Sequence, residues 1–249
     1  MRWSVMPAPG DGGPCRFPAD RRYRRGRWAA GLLLLAAVLY NDWLLEFALP
    51  TGLDPRHSYV SELYAADQPF RVLFSTVEIT CAVLVTAAGL LAHDRTGSHW
   101  ARTGWGFLAA FGVFSAADVA LPMSCAPSVS HGCQAVHPWH TVTSALVHFA
   151  LFASMTLLSV AGRTGRQGLQ LVGRWGPRLL PCALVSAVAT VGPLLGHPGW
   201  QGVPQRLHLV LVGLWFVLLA AALRRWRPWV GRSDLSGRES DTGVSAGVG

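Results

Sequence analysis

The chain contains no lysine, and only 14% of its 249 residues carry a charge. An ordinary soluble domain has about 25% charged residues, so that class is excluded. All 21 basic residues are arginines, giving a formal net charge of +8 and a pI near 10.1. A high pI can mark a nucleic-acid surface, but these arginines flank apolar runs, and no nucleic-acid partner is expected. There is no internal repeat, and the loops are too short to hold a separate soluble domain. Hydrophobic residues make up 51% of the chain, and mean hydropathy is +0.33.

Six apolar stretches take up most of the length: residues 28–49, 70–92, 103–123, 140–161, 179–197 and 207–223. A helix needs roughly 20 such residues to cross a bilayer. Cytoplasmic loops gather basic residues. With the N-terminus inside, 18 arginines lie inside and Arg56, Arg71 and Arg206 lie outside; the opposite topology inverts that ratio. The expected fold is all-α, a polytopic six-transmembrane-helix bundle of the cell (inner) membrane with both termini in the cytoplasm. Trp28, Trp100, Trp105, Trp139, Trp175, Trp200, Trp226 and Trp229 fall near the proposed interfaces, where an indole has an apolar body and a wet N–H. Five arginines before Leu32–Leu35 resemble the start of a signal peptide, but no small-x-small cleavage site ends the run, which favours an uncleaved anchor. The expected organisation is a disordered basic arm (1–27), the membrane domain (28–225) and a disordered tail (226–249).

Of five cysteines, Cys125 and Cys133 bracket a short external loop, CAPSVSHGC. Thiols outside the cytoplasm tend to oxidise, which favours a disulfide. A metal site with His131 and His137 is the rival reading, although the spacing matches no standard zinc pattern. Cys81 and Cys182 sit in spans and read as packing residues.

Seven of the nine histidines and seven of the thirteen acids fall at the outer end, opposite the arginines. Ionisable groups within a bilayer cost about 2.5–3.5 kcal/mol each on insertion scales, so they need partners, water or a task. The first span carries Asn41, Asp42 and Glu46, the latter two at i,i+4 on one helical face. The second carries Arg71, Ser75 and Glu78, with Glu78 roughly 12 Å deep at the helical rise. Ser115 and Asp118 close the third. His137, His140, Ser144 and His148 share one face of the fourth. Gln205, Arg206 and His208 open the sixth. The loop after the first span adds Ser61 and Glu62 among tyrosines and can cap a site. No comparable group occupies the inner half of any span.

Three chemistries suit such a set. His140, His148 and His208 with Asp118 or Glu78 are ligand types for a catalytic zinc, the one cofactor considered. However, His140 and His148 stand roughly 12 Å apart along a helix axis, so both cannot bind one ion. A desolvated Glu78 can act as an acid toward a lipid or isoprenoid. Third, the set can bind without chemistry, with Arg71, Arg206 and the carboxylates holding a lipid headgroup or small solute.

The stretches HSYVSELYA, FSAADVALPMSC, HPWHTVTSALVHFA and GVPQRLHL, in this order, resemble a family of bacterial multi-pass membrane proteins catalogued as domain of unknown function 998, common in actinobacteria. The matching positions are Ser61, Glu62, Asp118, His140, His148, Gln205 and Arg206. Looser similarities point elsewhere. Ser144-x-x-x-His148 with Asp118 resembles an element of the CREST membrane hydrolases, which implies zinc-dependent hydrolysis, but those proteins have seven helices and a late His-x-x-x-His pair, where this chain has His208 alone. YVSELYAADQPFRVLF is similar to the first-loop signature of the Frag1/DRAM group of six-helix proteins, which implies a non-enzymatic role.

The leading expectation is an extracytoplasmic-facing polar pocket that binds a membrane lipid or a small hydrophobic, lipid-like ligand. The alternatives are a membrane-embedded enzyme, with Glu78, Asp118, Ser144 and His148 catalytic, and a purely structural protein. Asp42, Glu46, Ser61, Glu62, Arg71, His140, Gln205, Arg206 and His208 are the candidate binding residues. The oligomeric state is left open.

Overall fold

In lipid the backbone must satisfy its own hydrogen bonds, and an open chain does so as helix. The computed structural model describes residues 17–93, 98–134, 137–165, 168–195 and 199–225, and all regular elements among them are helical. The α-helices are α1 (Phe17–Leu39), α2 (Arg71–His93), α3 (His99–Ala120), α4 (Pro138–Thr164), α5 (Gln170–Val188) and α6 (Gly202–Arg225). Short 3-10 helices follow α1 (Asp42–Phe47), precede α2 (Val60–Tyr64) and extend α5 (Ala189–Leu195). Five stretches are long and apolar enough to cross a membrane: Tyr23–Phe47, Arg71–His93, His99–Ala120, Pro138–Thr164 and Gly202–Arg225. The chain is a multi-pass membrane protein.

Each helix packs on its chain neighbours, and α6 returns to α1, so the six form a closed ring. Trp105, Trp215, Phe74, Phe111 and Phe216 fill the interior. Val38, Val72, Val83, Val113, Phe149 and Val185 face outward and exposed. That outward apolar face would be a liability in water and is the proper one in hydrocarbon.

Several expectations need correction. The fifth apolar stretch does not run 179–197 as one helix. Its α-helix starts at Gln170, carries Arg174 and Arg178, contains Pro177 and Pro181, and gives way at Ala189 to 3-10 geometry. α5 is therefore not among the five stretches that pass the length-and-apolarity test. The helix of the first span begins at Phe17, inside the arm expected to be disordered; residues 1–16 and 226–249 lie outside the described residues. That span also leaves α-geometry at Leu39. In a 3-10 helix, with three residues per turn, Asp42 and Glu46 no longer share a face. Trp105, expected at an interface, is fully buried, whereas Trp28, Trp139 and Trp200 are exposed.

Small residues let the helices approach closely, as is common between membrane helices. A Cβ on Gly89 of α2 would sit 2.7 Å from the Ala109 amide nitrogen of α3, while one on Gly106 would meet only His93 Cδ2, at 4.0 Å. Gly89→Leu is expected to lower stability by about 1–3 kcal/mol, the usual range for overpacking, and Gly106→Leu to change it little. Thermal unfolding in detergent compares the two.

Candidate functional site

The end of the ring where α2, α4 and α6 begin is held by two buried polar knots. In the first, Arg206 on α6 donates from Nε and Nη2 to the two Glu46 carboxylate oxygens, each at 2.7 Å, and from Nη1 to the carbonyls of Ser58 (3.0 Å) and Gly202 (3.1 Å). Its guanidinium carbon also lies 5.8 Å from the Trp43 ring centroid. Gly202 is required here: a Cβ would meet the Ser58 carbonyl oxygen at 2.6 Å and Arg206 Nη1 at 2.7 Å. Arg206 thus pins the end of α1 and the following loop to the start of α6.

The second knot centres on Asp118, at the end of α3. Oδ1 accepts from Thr143 Oγ1 (2.5 Å) and Ser144 Oγ (2.9 Å) on α4, and Oδ2 accepts from Tyr64 (3.2 Å). His140 Nδ1 stands 3.1 Å from Oδ1, an ion-pair distance, but without hydrogen-bond alignment. Burial, with the neighbouring Asp118 charge, raises the Tyr64 phenol well above its ordinary pKa.

The loops at this end of the ring are clasped separately. Cys125 and Cys133 form a disulfide, with Cα atoms 6.0 Å apart. Fully buried Glu62 accepts from Ser128 N and Oγ (3.0 and 2.5 Å) and from Tyr59 N (2.8 Å). Asp67 accepts from Ser130 Oγ at 2.6 Å and from the Ala126 amide at 3.1 Å. Burial pushes the Asp67 carboxyl up, but hydrogen bonds from Ser130, Gln68 and Ala126 outweigh it and hold the carboxyl below its usual value. Burial, then the Glu62 charge, pushes the Tyr59 phenol up to about 12; its hydroxyl donates to the Thr190 carbonyl at 2.9 Å.

Between these ties lie two cavities. An inner chamber of about 100 Å³ is lined by Tyr40, Tyr64, Glu78, Ser115, Asp118 and His208 among others. An outer groove of about 360 Å³ between α4 and α5 is largely apolar, with Met123, Ala145, Phe152, Leu184, Val188 and Val191. Ser61, Ser144, His148, Thr190 and Gln205 line both, so the cavities adjoin there. The His148 and His208 rings stack at 5.1 Å between centroids. His148 Nδ1 faces the Ser144 carbonyl at 2.7 Å, and His208 Nδ1 faces the Ala183 carbonyl at 2.9 Å.

The candidate residues therefore separate. Glu78, Asp118, Ser144, His148, His208, Ser61 and Gln205 line the chamber. His140 lines the groove. Glu46, Arg206 and Glu62 are engaged in ties outside both cavities, and Arg71 is exposed at the start of α2. Asp42 is buried, with neither carboxylate oxygen hydrogen-bonded. Tyr40, Tyr64, Thr143 and Thr190 also belong here. Of these only Thr143 carried a usable signal, its i,i+3 spacing from His140 on the polar face. Among the described residues, one group of three ligand-type side chains converges, Cys125, Cys133 and His137, and there the sulfurs are bonded to each other. His140, His148 and His208 do not converge with a carboxylate in that way, so the residues as placed do not form a three-ligand zinc site.

A closed ring of apolar helices with one polar end defines a multi-pass helical membrane protein. Residues 28–222 match the model of the family described as Protein of unknown function (DUF998), and the chain belongs to that family. No curated protein and no solved structure matches it.

Arg206→Met should cost about 3–5 kcal/mol by leaving Glu46 buried and unpaired. Adding Glu46→Leu should restore most of the loss, a double-mutant comparison read by thermal unfolding. The Asp67 clasp has a defined pH sign. Its folded pKa lies below the ordinary 3.8, so its contribution is complete above that value and fades as pH falls through the lowered one. Amide exchange at Ala126, corrected for intrinsic rates, should rise in wild type only at such acidic pH, and already at neutral pH in Asp67→Asn.

Proposed function

We propose that this protein crosses the inner membrane six times with both termini in the cytoplasm, and that it binds an amphiphile, a membrane lipid or lipid-like molecule, at its extracytoplasmic end. The arginine asymmetry supports the orientation. α5 supports the sixth crossing, because it completes the ring between α4 and α6. The observation that carries the binding reading is the junction of cavities: a small polar chamber opens at Ser61, Ser144, His148, Thr190 and Gln205 onto a larger apolar groove. Ligand sites are mostly apolar concavities with a few convergent polar groups. This one separates the two, as a molecule with a polar head and an apolar chain requires.

A second reading, acid–base chemistry on a lipid or isoprenoid, has one specific support. Glu78 lines the chamber and makes no hydrogen bond to any described residue, leaving its carboxyl available to a bound molecule. A serine nucleophile is less favoured. Ser144 donates to Asp118, and His148 Nδ1 is turned to the Ser144 carbonyl, not to its hydroxyl.

Ala187 lines the groove on α5, and Ala187→Trp should fill it. Mass spectrometry of amphiphiles co-purified with the folded protein is expected to show one species retained by wild type and reduced at least tenfold in the variant. Equal retention would count against the groove as the binding place.

A further inference from the structure

The chamber's polar atoms are unequally divided between donors and acceptors. Ser115 Oγ donates to the Phe111 carbonyl (2.9 Å), Ser144 Oγ to Asp118 (2.9 Å) and Thr190 Oγ1 to the Ala187 carbonyl (2.6 Å). Each hydroxyl has one proton, so these three have only lone pairs left to offer. The same logic fixes the imidazoles. His148 and His208 each turn Nδ1 to a backbone carbonyl. A carbonyl can only accept, so Nδ1 carries the proton, and a neutral ring then presents a lone pair at Nε2. Neither Nε2 is hydrogen-bonded among the described residues. Glu78 adds a carboxyl with no hydrogen bond; Asp42, which interacts with it electrostatically and has both oxygens unpartnered, lines neither cavity.

Among the described residues, no arginine answers these groups. No arginine lines either cavity. Arg206 is held by Glu46, and Arg71 is exposed outside. The free donors are few: the Gln205 amide, whose oxygen accepts from Val60 N at 2.6 Å, and the hydroxyls of Tyr40 and Ser61. A set of acceptors with an unpaired carboxyl and no arginine beside it is met best by a donor-rich cation.

The geometry points to a primary ammonium group as the occupant of the chamber, carried by an amphiphile whose apolar chain lies in the α4–α5 groove. An ammonium has three donors and no acceptor. At about 100 Å³ the chamber holds a group of a few heavy atoms, not a sugar. A phosphate head would place its charge against Glu78 with no cation to meet it. This assignment rests on the amphiphile reading above and adds the chemistry of the head.

The test uses the full chain in a nonionic detergent at neutral pH, titrated calorimetrically with dodecylamine, dodecanol and dodecyl phosphate. Dodecylamine should bind at least tenfold more tightly than either of the others. Glu78→Gln should remove that preference, bringing dodecylamine affinity down to that of dodecanol. Dodecyl phosphate or dodecanol binding as tightly as the amine would overturn the ammonium assignment and leave the amphiphile reading standing. An amine preference that survives in Glu78→Gln would overturn the role given to the chamber. Binding of none of the three would overturn the amphiphile reading itself. The wild-type comparison needs no variant, so it decides the head-group question even if Glu78→Gln fails to fold.

Discussion

Arg206 and Glu46 form a bidentate pair closed off from solvent, and the polar end of the ring depends on it. A guanidinium in that setting needs a carboxylate and further acceptors, because an uncompensated buried charge is severely unfavourable. Glu46 and the carbonyls of Ser58 and Gly202 supply them. The consequences are topological and electrostatic together. α6 is fastened to the end of α1, so the ring closes. The segment between α1 and α2 is drawn over the start of α6, where Gln205 accepts from Val60. Arg206, one residue along α6 from the cavity-lining Gln205, is neutralised by Glu46 and lines neither cavity.

The acidic character of the chamber follows from that closure. Asp118 is satisfied by Tyr64, Thr143 and Ser144, which joins α3 to α4 and positions the capping loop. Glu62 and Asp67 are occupied in holding the disulfide loop. What remains unengaged is Glu78, the outward nitrogens of two stacked histidines and a set of hydroxyl lone pairs. The polar residues thus form two populations. One holds the elements together, and the other faces the space they enclose.

Much of the fold was legible in the sequence. Apolar run length and arginine placement located α2, α3, α4 and α6 to within a few residues, because the bilayer imposes both signals directly. The fifth helix was misplaced because Arg174 and Arg178 lie within it, and charge near a helix end reads as loop to a hydropathy argument. The ends of the first span were misread because helical periodicity was carried past Leu39. The switch to 3-10 geometry separates Asp42 from Glu46 and gives them different surroundings. Clustering at one depth singled out Glu78, Asp118, Ser144, His148 and His208, and all five line one chamber. It could not tell which polar residues face inward and which are tied to each other, since Arg206–Glu46 and Glu62–Ser128 join positions 160 and 66 residues apart. Pairing across that separation leaves no local pattern.

The central claim is a continuous site, with a polar head in the chamber and an apolar chain between α4 and α5. Photo-crosslinking in membranes with a long-chain amphiphile bearing a photoreactive group midway along its chain, followed by peptide mapping, addresses it most directly. The account predicts adducts concentrated on groove residues such as Phe152, Leu184 and Val188. Adducts spread evenly over the lipid-facing surfaces of α1, α2 and α3, with no enrichment at the groove, would contradict it.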